Sequence, residues 1–193
     1  MSALNTLHCY LQPLRRLLRY WQSHAQVARA NPGCHLGFPI QWQFDDLSAI
    51  RLAPGVSIGA FSEVAVIRRS SNTPVEGGFE MGSRSVLGVH GNIRGEGGKV
   101  IVGRDCLLAQ NVSLIAANHK VGTDMPYMDL PVDSQVTGVT IEDNVWIGTG
   151  VTILPGCVVG RNSIVSAGSV VARNIPPNEI WAGVPARRIR AIS

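Results

Sequence analysis

Aliphatic side chains recur at every sixth position in the C-terminal part of the sequence. The six positions are Ile141, Ile147, Ile153, Val159, Val165 and Val171. The residue four places after each of them is usually small or β-branched. A period of six fits neither the 3.6-residue period of an amphipathic helix nor the alternation of one long strand, whereas it fits short strands joined by tight corners. The pattern therefore predicts an all-β solenoid.

The same phase continues towards the N-terminus in three earlier blocks. The blocks are Leu52, Ile58 and Val64, then Met81, Leu87 and Ile93, then Val102, Leu108 and Leu114. Three six-residue units make one triangular coil, and successive coils lie about 4.8 Å apart, the spacing of paired strands. These units predict a parallel β-helix of about five coils. The repeat pauses at 70–80, 99–101 and 120–140, which we interpret as insertions, the longest of them an extruded loop.

The first thirty residues follow a different pattern, with an apolar residue at alternating three- and four-residue steps. The stripe consists of Leu4, Leu7, Leu11, Leu14, Leu18 and Trp21. This spacing predicts an N-terminal helical segment over 1–30, ahead of a β-helix domain over 31–193. Pro13 lies inside the pattern and is expected to kink or divide the helix. We expect the stripe to pack over the first coil or against a neighbouring subunit. The alternative is a peripheral membrane contact, because arginines lie beside the stripe.

Two prolines end the repeat at the other end of the chain. Proline cannot donate a hydrogen bond to the neighbouring coil, so the repeat is expected to stop at Pro176 and Pro177. Residues 177–193 are predicted to form an extended closing segment.

Composition agrees with one turn-rich domain and a short appendage. The 193 residues are 45% hydrophobic and only 16% charged, and they include 21 glycines. No apolar run is long enough to span a bilayer and no cleavage site follows the first apolar stretch, so we expect a cytoplasmic protein, at the inner membrane surface if the helix contacts lipid. Basic residues near the termini would suit ligand phosphates or an anionic surface. No nucleic-acid partner is expected, because aromatic residues do not alternate with these basic ones.

The four cysteines are scattered, with no Cys-x-x-Cys pair, and are expected to be free thiols. Cys106 and Cys157 fall on the small position of the repeat. We therefore interpret them as buried wall residues of the coil rather than nucleophiles.

Asn118 and His119 end one block of the repeat immediately before the longest insertion. A histidine on a rigid coil at the mouth of a loop is well placed for catalysis. Position alone, however, favours a structural or solvated histidine. Asp124, Asp129, Asp133 and Gln135 in the insertion could bond sugar hydroxyls or only keep the loop soluble.

The order of four motifs resembles the hexapeptide-repeat acetyltransferases, and especially the maltose and galactoside O-acetyltransferases and the bacterial polysaccharide O-acetyltransferases. The motifs are Asn118-His119, Asn144-Val145-Trp146-Ile147-Gly148, Ser166-Ala167-Gly168-Ser169-Val170-Val171 and Ala182-Gly183-Val184-Pro185-Ala186. The resemblance runs from about Leu87 to the C-terminus. It implies a left-handed parallel β-helix, a homotrimer and active sites between neighbouring subunits.

The resemblance also implies an activity and its residues. His119 would be the general base in direct transfer of an acetyl group from acetyl-CoA to a hydroxyl of a sugar or polysaccharide precursor, with no metal. Asn92 and Asn118 would contact this carbohydrate acceptor. The donor would be bound by Trp146, Gly148, Thr149, Ala167, Gly168, Arg173 and Arg190. The chain has Ala172-Arg173 where the family often has Thr-Lys, which keeps the charge and loses a hydroxyl.

Other functions remain open at this stage. Within the acyltransferases, the acceptor could instead be an amino sugar nitrogen or a xenobiotic alcohol. The β-helix could also be a non-catalytic trimeric scaffold. A zinc enzyme on the same scaffold, similar to the γ-class carbonic anhydrases, would need three ligands, and only His90 and His119 lie within the repeat.

Overall fold

The computed structural model describes residues 3–71, 73–122 and 125–192, which form one helix and a coil of short strands. Helix α1 spans Ala3–Ala30 and is not divided at Pro13. Side chains before Leu17 lie outside the described part of the helix, as does Asp124 in the loop. Within the described residues, no helix is long and apolar enough to cross a membrane.

The strands, numbered in chain order, belong to three sheets that form the sides of a triangular prism. Sheet A contains β1 (His35–Leu36), β4 (Ser57–Ile58), β7 (Val86–Leu87), β10 (Leu107–Leu108), β13 (Trp146–Ile147), β16 (Ile164–Val165), β18 (Glu179–Gly183) and β19 (Ala186–Ala191). Sheet B contains β2 (Gln41–Phe44), β5 (Glu63–Val66), β8 (Asn92–Arg94), β11 (Ser113–Ile115), β14 (Thr152–Ile153) and β17 (Val170–Val171). Sheet C contains β3 (Ile50–Leu52), β6 (Gly78–Met81), β9 (Lys99–Val102), β12 (Val139–Ile141) and β15 (Cys157–Val159).

Successive strands in the chain pass from sheet A to sheet B to sheet C and then return to sheet A one level higher. Every pairing of strands is parallel except that of β18 with β19, among the described residues. Leu87, Leu108, Ile147 and Val165 are register partners and stack in one inward column. None of the fifteen aliphatic residues predicted to point inward is more than 6% exposed. The parallel β-helix predicted from the period of six is therefore confirmed.

The small positions of the repeat are buried as predicted. Cys106 and Cys157 are 1% and 4% exposed, and they line the coil wall. Ser85 and Ser163, which occupy equivalent positions, are fully buried and donate their hydroxyls to carbonyl oxygens of a neighbouring coil. A hydroxyl is tolerated there because this bond satisfies it.

The insertions lie a few residues from where the repeat places them. Residues 78–80 and 99–101 belong to strands β6 and β9, so the extra residues form the connections 67–77 and 95–98 instead. The longest insertion occupies 116–138. The aliphatic spacing shows only that residues have been added between two inward positions, whereas strand pairing decides which of them must stay in register.

Strands β1 and β2 precede the first block that the sequence pattern identifies, and they form the first coil together with β3, which carries Leu52. The connection 45–49 of this coil and the three other insertions all leave the prism at one edge, between sheets B and C. Asp46 and Arg68, from the first two of these connections, form an ion pair at 2.6 Å. The Ser48 hydroxyl and Arg68 both bond the Asp46 carboxylate and lower its pKa to about 2.

Helix α1 covers the first coil with a face that the leucine spacing does not identify. Val27 is fully buried against the core, and the Asn31 amide oxygen accepts a hydrogen bond from the Leu52 N–H at 2.7 Å. Leu18 and Trp21 of the predicted stripe are 50% and 54% exposed, although the Trp21 ring stacks on the Phe38 ring of the first coil. The helix therefore packs over the first coil, as one of the two expectations states, but mainly through Val27 and, within the described part of the stripe, through Trp21.

The C-terminal end is closed by a hairpin. Strand β18 continues sheet A beside β16, and β19 returns antiparallel to it. The side chain of Glu179 accepts hydrogen bonds from Trp181 at 2.8 Å and from Arg188 at 2.7 Å. Trp181 thereby covers the last level of the core.

We predict that Gly88→Ala destabilises the protein far more than Gly150→Ala. A Cβ on Gly88 would lie 2.7 Å from backbone atoms of Ala109 and Gln110, whereas a Cβ on Gly150 meets nothing within 4 Å. Gly150 has a φ of +69°, so alanine there adds only left-handed strain of about 1 kcal/mol. Overpacking at Gly88 should lower the unfolding free energy by about 3 kcal/mol. Thermal unfolding of the two variants tests this order, and equal losses would contradict it.

Candidate active site

A cavity of about 400 Å³ lies against sheet B at the edge from which the insertions leave. Gln43, Ala65, Arg94 and Ile115, from four successive strands of sheet B, form its floor. Its wall comes from three insertions, through Ile67, Glu96, Ala117, Asn118, His119 and Val132. The cavity therefore exists because the insertions stack at one edge of the prism.

The two ends of the longest insertion are fixed to each other where His119 leaves the coil. His119 and Val132 form an antiparallel bridge. The Lys120 N–H donates to the Pro131 carbonyl at 2.9 Å, and the Asp133 N–H donates to the Asn118 carbonyl at 2.8 Å. Asp133 also accepts a hydrogen bond from the Gln135 N–H at 3.0 Å, which gives this carboxylate a role in shaping the loop.

This bridge also determines the orientation of the imidazole ring. His119 Nδ1 lies 2.7 Å from the Leu130 carbonyl oxygen. A carbonyl only accepts hydrogen bonds, so Nδ1 carries the proton in the neutral ring and Nε2 keeps its lone pair. Leu130 is itself buried, at 8% exposure, while His119 is exposed. The ring is therefore held from inside and can accept a proton on its solvent side.

Charges on the cavity floor are largely compensated. Arg94 forms an ion pair with Glu63 on the neighbouring strand at 2.9 Å. Asn118 is exposed beside His119, and Gln43 contributes a neutral amide. Such a surface suits a polar, hydrogen-bonding ligand better than a strongly charged one.

Asn92 lies on the same outer face of sheet B, one pleat away from Arg94. Its register partners are Glu63 and Ser113. The amide oxygen of Asn92 is buried and has no hydrogen-bond partner in the part of the chain that the structure describes. The residue is thus close to the cavity but does not line it.

Four of the predicted donor-binding residues form one continuous surface at the edge between sheets A and B. Gly148 and Thr149 follow β13, and Ala167 and Gly168 follow β16 one coil later. The Gly168 N–H donates to the Thr149 carbonyl at 2.8 Å, and a Cβ on Gly148 would lie 2.5 Å from the Ala167 nitrogen. Trp146 stands just before this edge on the outer face of sheet A, 51% exposed.

The two predicted phosphate-binding arginines are not brought together within one chain. Arg173 follows β17, at the edge between sheets B and C, whereas Arg190 lies on β19 in sheet A, opposite Ile180. Both are exposed.

His119 and the Gly148–Gly168 surface lie at opposite ends of the sheet B strands. Thr149 to Leu154 crosses one such strand, a span of roughly 16 Å at about 3.3 Å per residue. Among the described residues, the lining of the His119 cavity therefore includes none of Gly148, Thr149, Ala167 and Gly168.

The structure also describes cysteine and histidine side chains outside this cavity. Burial raises the pKa of the Cys106 and Cys157 thiols, which keeps them protonated and unreactive. His90 stacks on Phe61 at 5.4 Å at the edge between sheets A and B, away from His119. Among the described residues there is no group of three or more potential metal ligands.

Sequence reasoning missed Gln43, Arg94 and Glu96. Each follows or flanks an inward position and has no motif of its own. The alternation of β8 gives a partial signal, because Arg94 must face outward when Ile93 faces inward.

We predict that neutral His119 is the tautomer protonated on Nδ1. The bond to the Leu130 carbonyl requires this form, and nitrogen-15 NMR of the imidazole measures it directly. His90, held by ring stacking, is the internal reference. A neutral His119 protonated on Nε2 would contradict the orientation described here.

Comparison with known proteins agrees with this fold. Residues 138–173 match the model for the bacterial transferase hexapeptide, six repeats. A maltose O-acetyltransferase from Clostridium difficile is 24% identical, with 84% of this chain and 68% of that chain covered and a TM-score of 0.54. A hexapeptide-repeat acetyltransferase from Vibrio cholerae is 17% identical, with 100% and 94% covered and a TM-score of 0.63. A mutant N-acyltransferase from Bacillus cereus, in complex with dTDP and coenzyme A, is 20% identical, with 84% and 82% covered and a TM-score of 0.56. No curated protein matches the chain.

The match implies left-handed winding of the coil, the hand of the hexapeptide-repeat family. The chain therefore carries the bacterial transferase hexapeptide repeat and has the fold of the hexapeptide-repeat acetyltransferases, as its motifs indicate.

Proposed function

We propose that the protein is an acetyl-CoA-dependent O-acetyltransferase that modifies a hydroxyl group of a sugar or polysaccharide precursor, with His119 as general base. The observation that supports this most directly is the 2.7 Å bond between His119 Nδ1 and the Leu130 carbonyl. It leaves Nε2 as a proton acceptor beside a cavity lined by amide groups and by the paired side chain of Arg94.

The reaction needs no acetyl-enzyme. Nε2 of His119 takes the proton of the acceptor hydroxyl while that oxygen attacks the thioester carbonyl carbon. The tetrahedral oxyanion then collapses, the C–S bond breaks, and the imidazolium returns the proton to the departing thiolate. The products are an O-acetyl ester and free CoA. The inert state of Cys106 and Cys157 supports direct transfer.

The donor would lie along the Gly148–Gly168 surface of a neighbouring copy. A homotrimer would bring that surface to the His119 cavity of the next chain, and the separation of roughly 16 Å within one copy supports an active site shared between chains. Trp146 would pack at the same interface. Arg173 of one chain and Arg190 of the other could then bind the CoA phosphates from two sides.

The acceptor would enter over sheet B. Asn118 and Gln43 offer amide groups to sugar hydroxyls, whereas Asn92 lies beside the cavity without lining it and its amide oxygen is buried. An amino sugar nitrogen is the second candidate acceptor, because an N-acyltransferase shares this fold. A cytoplasmic location, where acetyl-CoA is available, is part of the proposal.

We predict that His119→Ala lowers acceptor-dependent release of CoA thiol by about a hundredfold or more, the usual contribution of a general base. His90→Ala is the matched control, because it removes an imidazole at the other edge of sheet B. A panel of sugars, amino sugars, oligosaccharides and antibiotic alcohols, with labelled acetyl-CoA, identifies the acceptor and separates O- from N-acetylation.

Either of two results would overturn this assignment. Equal thiol release by His119→Ala and the wild type would remove His119 as the base. Failure of the wild type to bind acetyl-CoA would favour the trimeric scaffold.

We also predict that two inactive variants restore activity when they are co-expressed. In a cyclic trimer with shared sites, mixing His119→Ala with Ala167→Trp produces interfaces that pair an intact His119 with an intact donor surface. Random assembly makes about one interface in four intact, so about a quarter of wild-type activity should return. If both groups belonged to one chain's site, the mixture would stay inactive.

A further inference from the structure

Helix α1 has two apolar faces, and the β-helix uses only one of them. Val27 is fully buried against the first coil, whereas Leu17, Leu18 and Trp21 are 48%, 50% and 54% exposed. Leu18 and Val27 are nine residues apart, which is 2.5 turns of a helix with 3.6 residues per turn. They therefore point to opposite sides of the helix.

The exposed face is the continuation of a longer stripe in the sequence. Leu4, Leu7, Leu11 and Leu14 precede Leu18 at the same three- and four-residue steps, and all lie within the span of α1. The stripe thus extends over most of the helix. Among the described side chains, Leu18 points away from the face that holds the first coil, whereas Trp21 stacks on Phe38 of that coil.

The charged side chains of the N-terminal segment are all basic. The first 44 residues contain no aspartate or glutamate, and α1 carries Arg15, Arg16, Arg19 and Arg29. Arg19 is exposed, and neither Arg19 nor Arg29 forms an ion pair among the residues that the structure describes. A bundle of α1 helices from several copies would bring these arginines together without an acidic partner, whereas an anionic lipid surface would neutralise them.

We propose that α1 binds an anionic membrane surface, with the leucine stripe inserted at the boundary of headgroups and acyl chains and the arginines on lipid phosphates. A helix with an apolar face and a basic polar face binds in this way, lying in the plane of the interface. The β-helix would then stand on the cytoplasmic side of the helix. Membrane binding does not depend on acetyl transfer, so it can be tested separately from the proposed activity.

The test is co-sedimentation of the full chain with vesicles. The wild type should bind phosphatidylcholine vesicles that contain phosphatidylglycerol, bind pure phosphatidylcholine vesicles about tenfold less, and lose binding as salt rises. Leu18→Glu with Trp21→Glu should reduce binding to the anionic vesicles about tenfold, and Arg19→Glu should reduce it less. Ile189→Glu, an exposed apolar residue on β19, is the control and should bind as the wild type does.

Three outcomes would overturn the proposal. The wild type could fail to bind anionic vesicles, or bind neutral and anionic vesicles equally. The Leu18→Glu, Trp21→Glu variant could keep vesicle binding but lose its oligomeric mass in light scattering, which would assign the stripe to contacts between copies. Circular dichroism and thermal unfolding of each variant show whether the β-helix remains folded.

Discussion

The hydrogen bonds between successive coils are the constraint on which the rest of the structure depends. Each strand pairs with the strand one level below and one level above, as where the Gly88 N–H donates to Leu108 and the Ala109 N–H donates to Ile147, at 2.8 and 2.9 Å. A residue added inside a strand would turn every following side chain to the other face. Extra residues can therefore leave the coil only at a corner. The stacked aliphatic columns inside the prism also require the register to be kept, because each inward side chain packs on the equivalent side chain one coil away.

The two edges of sheet B differ in what they can accommodate, and this difference divides the candidate site. At the edge between sheets A and B, a Cβ on Gly59, Gly88 or Gly148 would lie 2.4 to 2.7 Å from the backbone of the next coil. That edge is closed and smooth, as a surface for an extended ligand arm should be. At the edge between sheets B and C the chain turns more loosely, and four insertions leave there. Their stacking forms the cavity, and the bridge within the longest insertion orients His119.

Because the Gly148–Gly168 surface and the cavity lie at opposite ends of the sheet B strands, the proposed acetyl transfer would need a second copy of the chain to bring them together. The helix adds a separate constraint. It attaches to the first coil through Val27, on the side opposite Leu18, so the exposed side chains of Leu17 and Leu18 are left for another surface. The helix face proposed for membrane contact is thus separate from the surfaces proposed for chemistry and assembly, and it can be tested on its own.

The sequence by itself determined the coil. The period of six identified the residues that point inward. The burial of Cys106 and Cys157 followed from the same phase, because equivalent positions of a repeat face the same interior. The sequence also placed His119 immediately before the longest insertion, whereas its role as the base is implied by the family resemblance and stays a prediction. Only the tertiary structure decided the first coil, the limits of the insertions and the packing face of α1, since these depend on pairing between residues far apart in the chain. The hydrogen bond between His119 and the Leu130 carbonyl also depends on such pairing. So does the position of Arg94 and Glu96 in one cavity. The spacing of residues in the sequence does not show which connections stack at one edge of the prism.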